Sequence, residues 1–239
     1  MVGHGKTGRE VEIVLSERGH EPIRVPRGGP YPESCTVGID FTTADAVVGN
    51  VAAAMSAGSR YVVGTTGWGE HLEAVSTSVR RAGGGLVHGA NFSLGVNLFY
   101  RIVRDAAALL AGFPEYDPFV LERHHRQKKD IPSGTAKALA AILEESKGRR
   151  LRGVSSFAGA IPDGAFHVAS VRTGGVVGDH TVGFDSGGDE IVLEHRARTR
   201  RGFATGAVLA AEWIGARTGI HAFENVLDQI IEAARPPSA

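Results

Sequence analysis

The chain opens Met1-Val2-Gly3-His4-Gly5-Lys6-Thr7-Gly8-Arg9-Glu10-Val11-Glu12-Ile13-Val14-Leu15, and the spacing of its glycines decides how the rest is read. Gly3, Gly5 and Gly8 form a G-x-G-x-x-G run ahead of a segment with helical apolar spacing, and Gly19 supplies a stop. Such a run permits a tight turn, close approach of backbone N–H groups to a pyrophosphate and close helix packing, while the helix N-terminus favours negative charge. The strand that should precede the turn is reduced to Met1-Val2, so either the first strand is shortened or the chain start is truncated, and a truncated start is the expectation.

Outward from this loop, short apolar runs alternate with helical stretches. A strand is expected at Pro22-Ile23-Arg24-Val25 and a turn at Arg27-Gly28-Gly29-Pro30. The next strand, Thr36-Val37-Gly38-Ile39, ends in Asp40-Phe41-Thr42-Thr43; a helix follows over about 45–57. Arg60-Tyr61-Val62-Val63 ends in Gly64-Thr65-Thr66-Gly67; after a helix over about 70–82, Gly85-Leu86-Val87-His88 ends in Gly89-Ala90-Asn91-Phe92-Ser93. This alternation implies a parallel sheet. Ligands of open parallel sheets bind outside the carboxyl ends of the strands, and here each run gives way to small polar residues at that end. One such loop is ordinary turn and cap chemistry. Four in register point to a shared crevice.

The second half changes character. After a helix over about 94–111, Phe119-Val120-Leu121-Glu122 reads as a strand running into Arg123-His124-His125-Arg126-Gln127-Lys128-Lys129-Asp130-Ile131-Pro132-Ser133-Gly134-Thr135. A helix over about 136–147 and β-like runs at 154–158, 167–172, 180–185 and 189–199 suggest an open mixed sheet. In isolation, Gly174-Gly175 and Gly178-Asp179-His180-Thr181 read as turns between strands. Final helices over about 203–218 and 222–233 are placed against the first lobe. The expected organisation is a dinucleotide-binding domain over 1–94 and 205–239, and a substrate-binding and oligomerisation domain over 95–204.

Composition narrows the function classes. Glycine, at 33 of 239 residues, runs at roughly twice its usual ~7% share, without a G-X-Y period. With 42% apolar and 22% charged residues the chain has material for a core. The 26 basic residues equal the 26 acidic ones, so no global field attracts nucleic acid or an anionic membrane. The single cysteine, Cys35, forms no intramolecular disulfide, no signal segment opens the chain, and no apolar run is long enough to span a bilayer. A cytoplasmic protein is expected.

Chemistry concentrates in one place. His124, His125, Lys128 and Asp130 lie together at a strand end beside a helix start, with Ser133 as N-cap and Gly134 and Thr135 exposing first-turn N–H groups. Those donors suit a carboxylate, and His and Lys suit proton transfer, so a dicarboxylate substrate fits. Three plainer readings stay open: a metal site on the His-His pair, which lacks a Cys or a nearby third His; a nucleic-acid patch, which lacks aromatics; and a solvated loop carrying an N-cap.

The run Glu122-x-His124-His125-x-x-Lys128-x-Asp130-x-Pro132-Ser133-Gly134-Thr135-Ala136 resembles the signature of the dihydrodipicolinate (4-hydroxy-tetrahydrodipicolinate) reductase family of lysine and diaminopimelate biosynthesis. Further stretches resemble that family in the same order, across essentially the whole chain. They include the glycine motif, Asp40-Phe41-Thr42, Gly64-Thr65-Thr66-Gly67-Trp68, Ala90-Asn91-Phe92-Ser93, Arg172-x-Gly174-Gly175-x-x-Gly178-x-His180-Thr181 and Phe203-Ala204-x-Gly206-Ala207.

The resemblance implies an α/β protein: a Rossmann-like parallel-sheet cofactor domain, its first strand shortened or missing, plus an α+β substrate domain on an open mixed sheet. It implies an NADPH- or NADH-dependent oxidoreductase, usually a homotetramer, with a small dicarboxylate substrate and no metal, nucleic acid or membrane. Hydride would pass from nicotinamide C4 to the substrate ring. By matching position His124 is the proton donor/acceptor, Lys128 a proton donor, and His125, Gly134 and Thr135 bind substrate carboxylate. Gly3, His4, Gly5, Lys6, Thr7, Gly8, Gly64, Thr65, Thr66, Ala90, Asn91, Phe92 and Ser93 hold the dinucleotide. Between Pro22 and Pro32 no acid is present to bond a ribose 2′-hydroxyl, whereas Arg24 and Arg27 are. An Arg there pairs with a 2′-phosphate, so Arg27 is expected at the cofactor and the preference leans to NADPH. A related reductase for another small amino or keto dicarboxylate, or a non-catalytic dinucleotide sensor, are the alternatives.

Overall fold

In the computed structural model, which describes residues 1–26, 28–146 and 151–235, Val2 makes parallel bridges on both sides, to Val25 and to Asp40. Its N–H donates to the Ile39 carbonyl (2.8 Å) and its carbonyl accepts from the Phe41 N–H (3.0 Å). On the other side the Met1 carbonyl accepts from the Val25 N–H (2.9 Å), and the terminal ammonium donates to the Ile23 carbonyl (2.6 Å). Two residues thus occupy an interior strand position.

In chain order the elements are α1 (Lys6–Glu17), β1 (Val37–Asp40), α2 (Val47–Ser56), β2 (Arg60–Val63), α3 (Leu72–Arg81), β3 (Gly85–His88) and α4 (Leu94–Leu110). There follow β4 (Asp117–His124), α5 (Gly134–Glu145), β5 (Arg152–Val154), β6 (Ala165–Arg172), β7 (Gly178–Asp185), β8 (Glu190–Ala197), α6 (Arg201–Ile214), β9 (Gly219–Ala222) and α7 (Phe223–Ala234). They form two compact units, residues 1–94 together with the chain from Arg200 onward, and residues 95–199.

In the first unit the parallel sheet runs β1-β2-β3-β9, and the bridges add Val2 beside β1 and Val25 beyond it. Strand addition therefore reverses between Val2 and β1, which makes that junction the topological switch point where such sheets open a crevice. Period-2 alternation buries both faces. Ile39, Val62 and Val87 pack with Val11 and Val14 of α1 and with α6 and α7; Tyr61, Val63 and Leu86 pack with Val47 and Val51 of α2 and with Val75 and Val79 of α3.

The second unit carries a mixed five-stranded sheet, β5-β6-β4-β7-β8, with β5, β6 and β4 parallel and β7 and β8 antiparallel. Val120, Val168, Val182 and Phe184 on one face pack against Phe99 and Val103 of α4 and Leu139 and Leu143 of α5. Alternation sends Leu121, Val171 and Val192 to the other face, where Val171 and Val192 are exposed.

The α/β class with a parallel and a mixed sheet is as expected, but several elements differ. The strand expected over 22–25 is a bridge at Val25 alone, and β5 lies at Arg152–Val154 rather than 154–158. Gly178-Asp179-His180-Thr181 begins β7 instead of forming a turn, because β4 and β8 pair with it on both sides. The helix expected to 218 ends at Ile214, and Gly219–Ala222 is a strand held by parallel pairing to β3. The helix end expected at Lys147 lies outside the described residues.

Helix α6 reaches the sheet through Gly206, where an added Cβ would run into the Phe92 carbonyl and lie 3.0 Å from the Phe223 ring. Because backbone cannot yield as a flexible side chain does, Gly206→Ala should lower unfolding stability by about 1–3 kcal/mol. Urea denaturation checks this; an unchanged midpoint would contradict the packing described.

Candidate active site

At the switch point a cleft of about 340 Å³ is lined by Gly5, Lys6, Thr7 and Gly8, by Phe41 and Thr42 after β1, by Gly64, Thr65 and Thr66 after β2, and by Arg200. Gly3 takes φ +88°, and a Cβ there would meet the Phe41 carbonyl; one on Gly8 would meet the Gly3 carbonyl. Gly5 is the α1 N-cap, lends no side chain to capping, and has open space about it. The first-turn N–H groups of α1 thus lack intrahelical acceptors beside a polar cleft, the arrangement that binds phosphate. Arg200 adds a cation, its Nη1 3.4 Å from the Thr7 hydroxyl.

Asp40 holds this cleft in shape. Fully buried, it accepts through Oδ1 from the Thr42 N–H (2.8 Å), the Thr42 hydroxyl (2.6 Å) and the Thr65 hydroxyl (2.9 Å), and through Oδ2 from Asn50 (2.9 Å) and the Tyr61 hydroxyl (3.2 Å). Burial and the Asp40 charge push the Tyr61 phenol far up. The loops after β1 and β2 are thereby joined, and Thr65 and Thr66 also border a second cavity of about 180 Å³ with Trp68, His88 and Ala90. The two cavities run along the carboxyl ends of β1, β2 and β3, an elongated site suited to a dinucleotide.

The other expected cofactor residues divide. The Asn91 side chain accepts from the Ser93 N–H (2.9 Å) and turns the chain into α4, while the Phe92 ring is buried against Phe223, with centroids 4.4 Å apart. The Phe92 ring is thereby withdrawn into the core. His4 is part-exposed with Nδ1 3.2 Å from Glu12, which also grips Arg24 through Nε (2.8 and 3.0 Å). Arg27 lies outside the described residues.

In the second unit, alternation along β4 places Val120, Glu122 and His124 on the helix-covered face. Glu122 is fully buried; its Oε1 accepts from the Ser133 N–H (3.0 Å), the Ser170 hydroxyl (2.7 Å) and Arg172 Nη2 (2.9 Å), and its Oε2 lies 3.0 Å from His124 Nδ1. Burial favours the neutral acid, but His124, Ser133, Ser170 and Arg172 overcome it and hold the carboxyl far below the usual range. His180, opposite Glu122 on β7, stacks edge-on against His124 with ring centroids 5.1 Å apart. Donor atoms of Glu122, His124 and His180 lie within 4.8 Å of one another, a spacing suited to a cation. The Arg172 guanidinium on the same carboxylate opposes one by charge.

Ser133 caps α5, accepting from the Ala136 N–H (3.2 Å), and Gly134 and Thr135 form the first turn. Lys128 Nζ is 2.8 Å from Asp130 Oδ1, and the Lys128 ammonium, with the Gly134 backbone N–H, holds the Asp130 carboxyl below its ordinary value. A carboxylate therefore already rests between a lysine and a helix N-terminus. His125 is half-buried, its Nδ1 3.2 Å from the Gln127 side chain. Arg172 Nη2 also donates to the Asp130 carbonyl (2.7 Å), and the Thr173 N–H donates to the His124 carbonyl (2.9 Å). Glu122, Arg172, His180, Asp40 and Arg200 stood in or beside the quoted motifs without being read as site residues. A charged residue on the apolar face of β4 was the signal for Glu122.

The sequence matches the family described as dihydrodipicolinate reductase, C-terminus, over residues 95–227, and its N-terminus over 29–92. A 4-hydroxy-tetrahydrodipicolinate reductase of Methanopyrus kandleri is 40% identical over 227 residues, covering 92% of this chain and 82% of that protein. One of Methanoregula boonei is 42% identical over 193 residues, covering 79% and 73%. The solved dipicolinate-bound dihydrodipicolinate reductase of Paenisporosarcina sp. TG-14 superposes with TM-score 0.71 at 23% identity, over 94% of this chain and 97% of that one, and so shares the fold.

Burial, then the neighbouring His124 charge, lowers His180 to about 4, with Glu122 pulling the other way. Its neutral form is favoured in the fold, so this contribution is full above the unfolded value near 6.5 and is lost as pH falls from there to about 4. The loss is up to about 3 kcal/mol. Urea unfolding of wild type and His180→Gln across that window should show a shallower pH slope in the variant; equal slopes would contradict the assignment.

Proposed function

The chain belongs to the dihydrodipicolinate reductase family, and from that premise we propose that it reduces 4-hydroxy-tetrahydrodipicolinate to tetrahydrodipicolinate in lysine and diaminopimelate biosynthesis. The observation that carries this reading is the 122–135 segment, in which the Asp130 carboxylate is held between Lys128 and the first turn of α5, just after His124 in the chain.

When bound, the reduced nicotinamide supplies the hydride. The open turn at Gly5, the first-turn N–H groups of α1 and the Arg200 cation fit its pyrophosphate, and the joined cavities at Thr65 and Thr66 fit its length. Lys128 or His124 delivers the proton to the ring. His125 and the N–H groups of Gly134 and Thr135 bind a substrate carboxylate, which takes the place of Asp130. NADPH is the preferred form: the loop from Pro22 to Pro32 has no acid, and Arg24 stays 65% exposed on its Glu12 anchor. A homotetramer accounts for the apolar residues on the open face of the mixed sheet. A cytoplasmic location is part of the same reading; among the described residues no helix is long and apolar enough to cross a membrane.

Coupling the protein to dihydrodipicolinate synthase, pyruvate and aspartate semialdehyde should consume NADPH, and NADH with lower kcat/KM. No consumption of either contradicts the activity. Lys128→Ala should lower kcat by about 100-fold or more while cofactor Kd moves only a few-fold; undiminished turnover would remove Lys128 from proton transfer.

A further inference from the structure

We infer that Glu122 is a positioning residue: its carboxylate fixes His124 with the proton on Nδ1 and leaves Nε2, which lies beside Gly178, as the atom that exchanges a proton with the substrate. The inference deepens the reductase reading and rests on it for the word substrate, though the tautomer itself does not.

The two carboxylate oxygens have different neighbours. Oε1 is occupied by the Ser133 N–H, the Ser170 hydroxyl and Arg172 Nη2. Oε2 faces two imidazoles, His124 Nδ1 at 3.0 Å and His180 Nε2 at 3.9 Å, of which only the first is within hydrogen-bond reach. The 3.0 Å approach falls outside linear hydrogen-bond geometry, yet both atoms are buried and neither has another hydrogen-bond partner among the described residues. Buried polar atoms seldom stay unpaired, and a modest ring rotation satisfies both at once. An ionised carboxylate only accepts, so the shared proton sits on Nδ1 and Nε2 of the neutral ring is left as acceptor.

The surroundings hold this choice in place. Arg172 on β6 and the N-terminus of α5 keep Glu122 ionised; His180 on β7 faces it across the pair and is neutral above about pH 4. His195 on β8 and Lys128 on the loop act on His180 from farther off. When Nε2 carries a proton, the ring is an imidazolium whose charge Glu122 balances, the arrangement required of an acid that gives up that proton and recovers it.

The test begins with the wild-type protein. Histidine 15N NMR, with His124 assigned through His124→Gln, should show the neutral ring in the Nδ1–H tautomer; a neutral Nε2–H tautomer overturns the proposal, whatever the substrate is. Glu122→Gln keeps an acceptor for Ser133 and Ser170 but offers an amide N–H toward Nδ1, so the tautomer should invert. In the coupled assay kcat should fall about 100-fold with KM and cofactor Kd within a few-fold, and the alkaline limb of the kcat profile should move to lower pH. Wild-type tautomer and profile in a folded Glu122→Gln variant overturn it. Should Glu122→Gln fail to fold, the wild-type tautomer decides alone. Absence of reductase activity in the wild type with an Nδ1–H ring would sink the reductase reading and leave the positioning of His124 standing.

Discussion

The Glu122 carboxylate, without exposure to solvent, is the constraint on which the second unit's site depends. An ionised carboxylate taken out of water is destabilised by several kcal/mol unless donors surround it. Here they come from the N-cap of α5 and from the Ser170 hydroxyl and Arg172 on β6, while His124 Nδ1 on β4 itself lies 3.0 Å from the other oxygen. Satisfying one charge therefore fixes the start of a helix, the end of a strand and the loop between them. Arg172 extends the same tie to the Asp130 carbonyl, so the segment holding Lys128 is anchored at both ends.

The first unit solves a similar problem in the same way. Asp40, also buried at a strand end, draws in the Thr42 N–H and hydroxyl, the Thr65 hydroxyl, Asn50 and Tyr61, and joins two loops of the cleft. The fold puts the crevice at a sheet's carboxyl edge; a buried acid then makes the loops there rigid enough to present backbone N–H groups at defined places. Asp40 closes β1 and Glu122 lies near the carboxyl end of β4, where neighbouring loops converge and one carboxylate reaches several of them.

Much of this was legible in the residues. The alternation of apolar runs with helical spacing sufficed for the parallel sheet, and the strand ends at Asp40, Gly64 and Gly89 marked the crevice. The Ser133 cap and the cluster His124 to Asp130 marked the second site. What escaped reading depended on pairing across the sheet. β9 has four half-buried residues and no alternation, so only its register with β3 makes it a strand. Gly178 and Asp179, ahead of the β-like run that begins at His180, join β7 only through their pairing with Arg123, Arg196 and Ala197. Arg200 joins the glycine loop across most of the chain, and nothing local signals it. Glu122 did carry a local signal, a charge on the apolar face that alternation with Val120 defines.

The proposed reduction takes its hydride from C4 of a bound nicotinamide. Its most direct measurement is the isotopic content of the product when NADPH carries deuterium at the transferring C4 position in ordinary water. The account requires tetrahydrodipicolinate one mass unit heavier than the product made with unlabelled NADPH. Product of unchanged mass, formed while the labelled cofactor is oxidised, would contradict it.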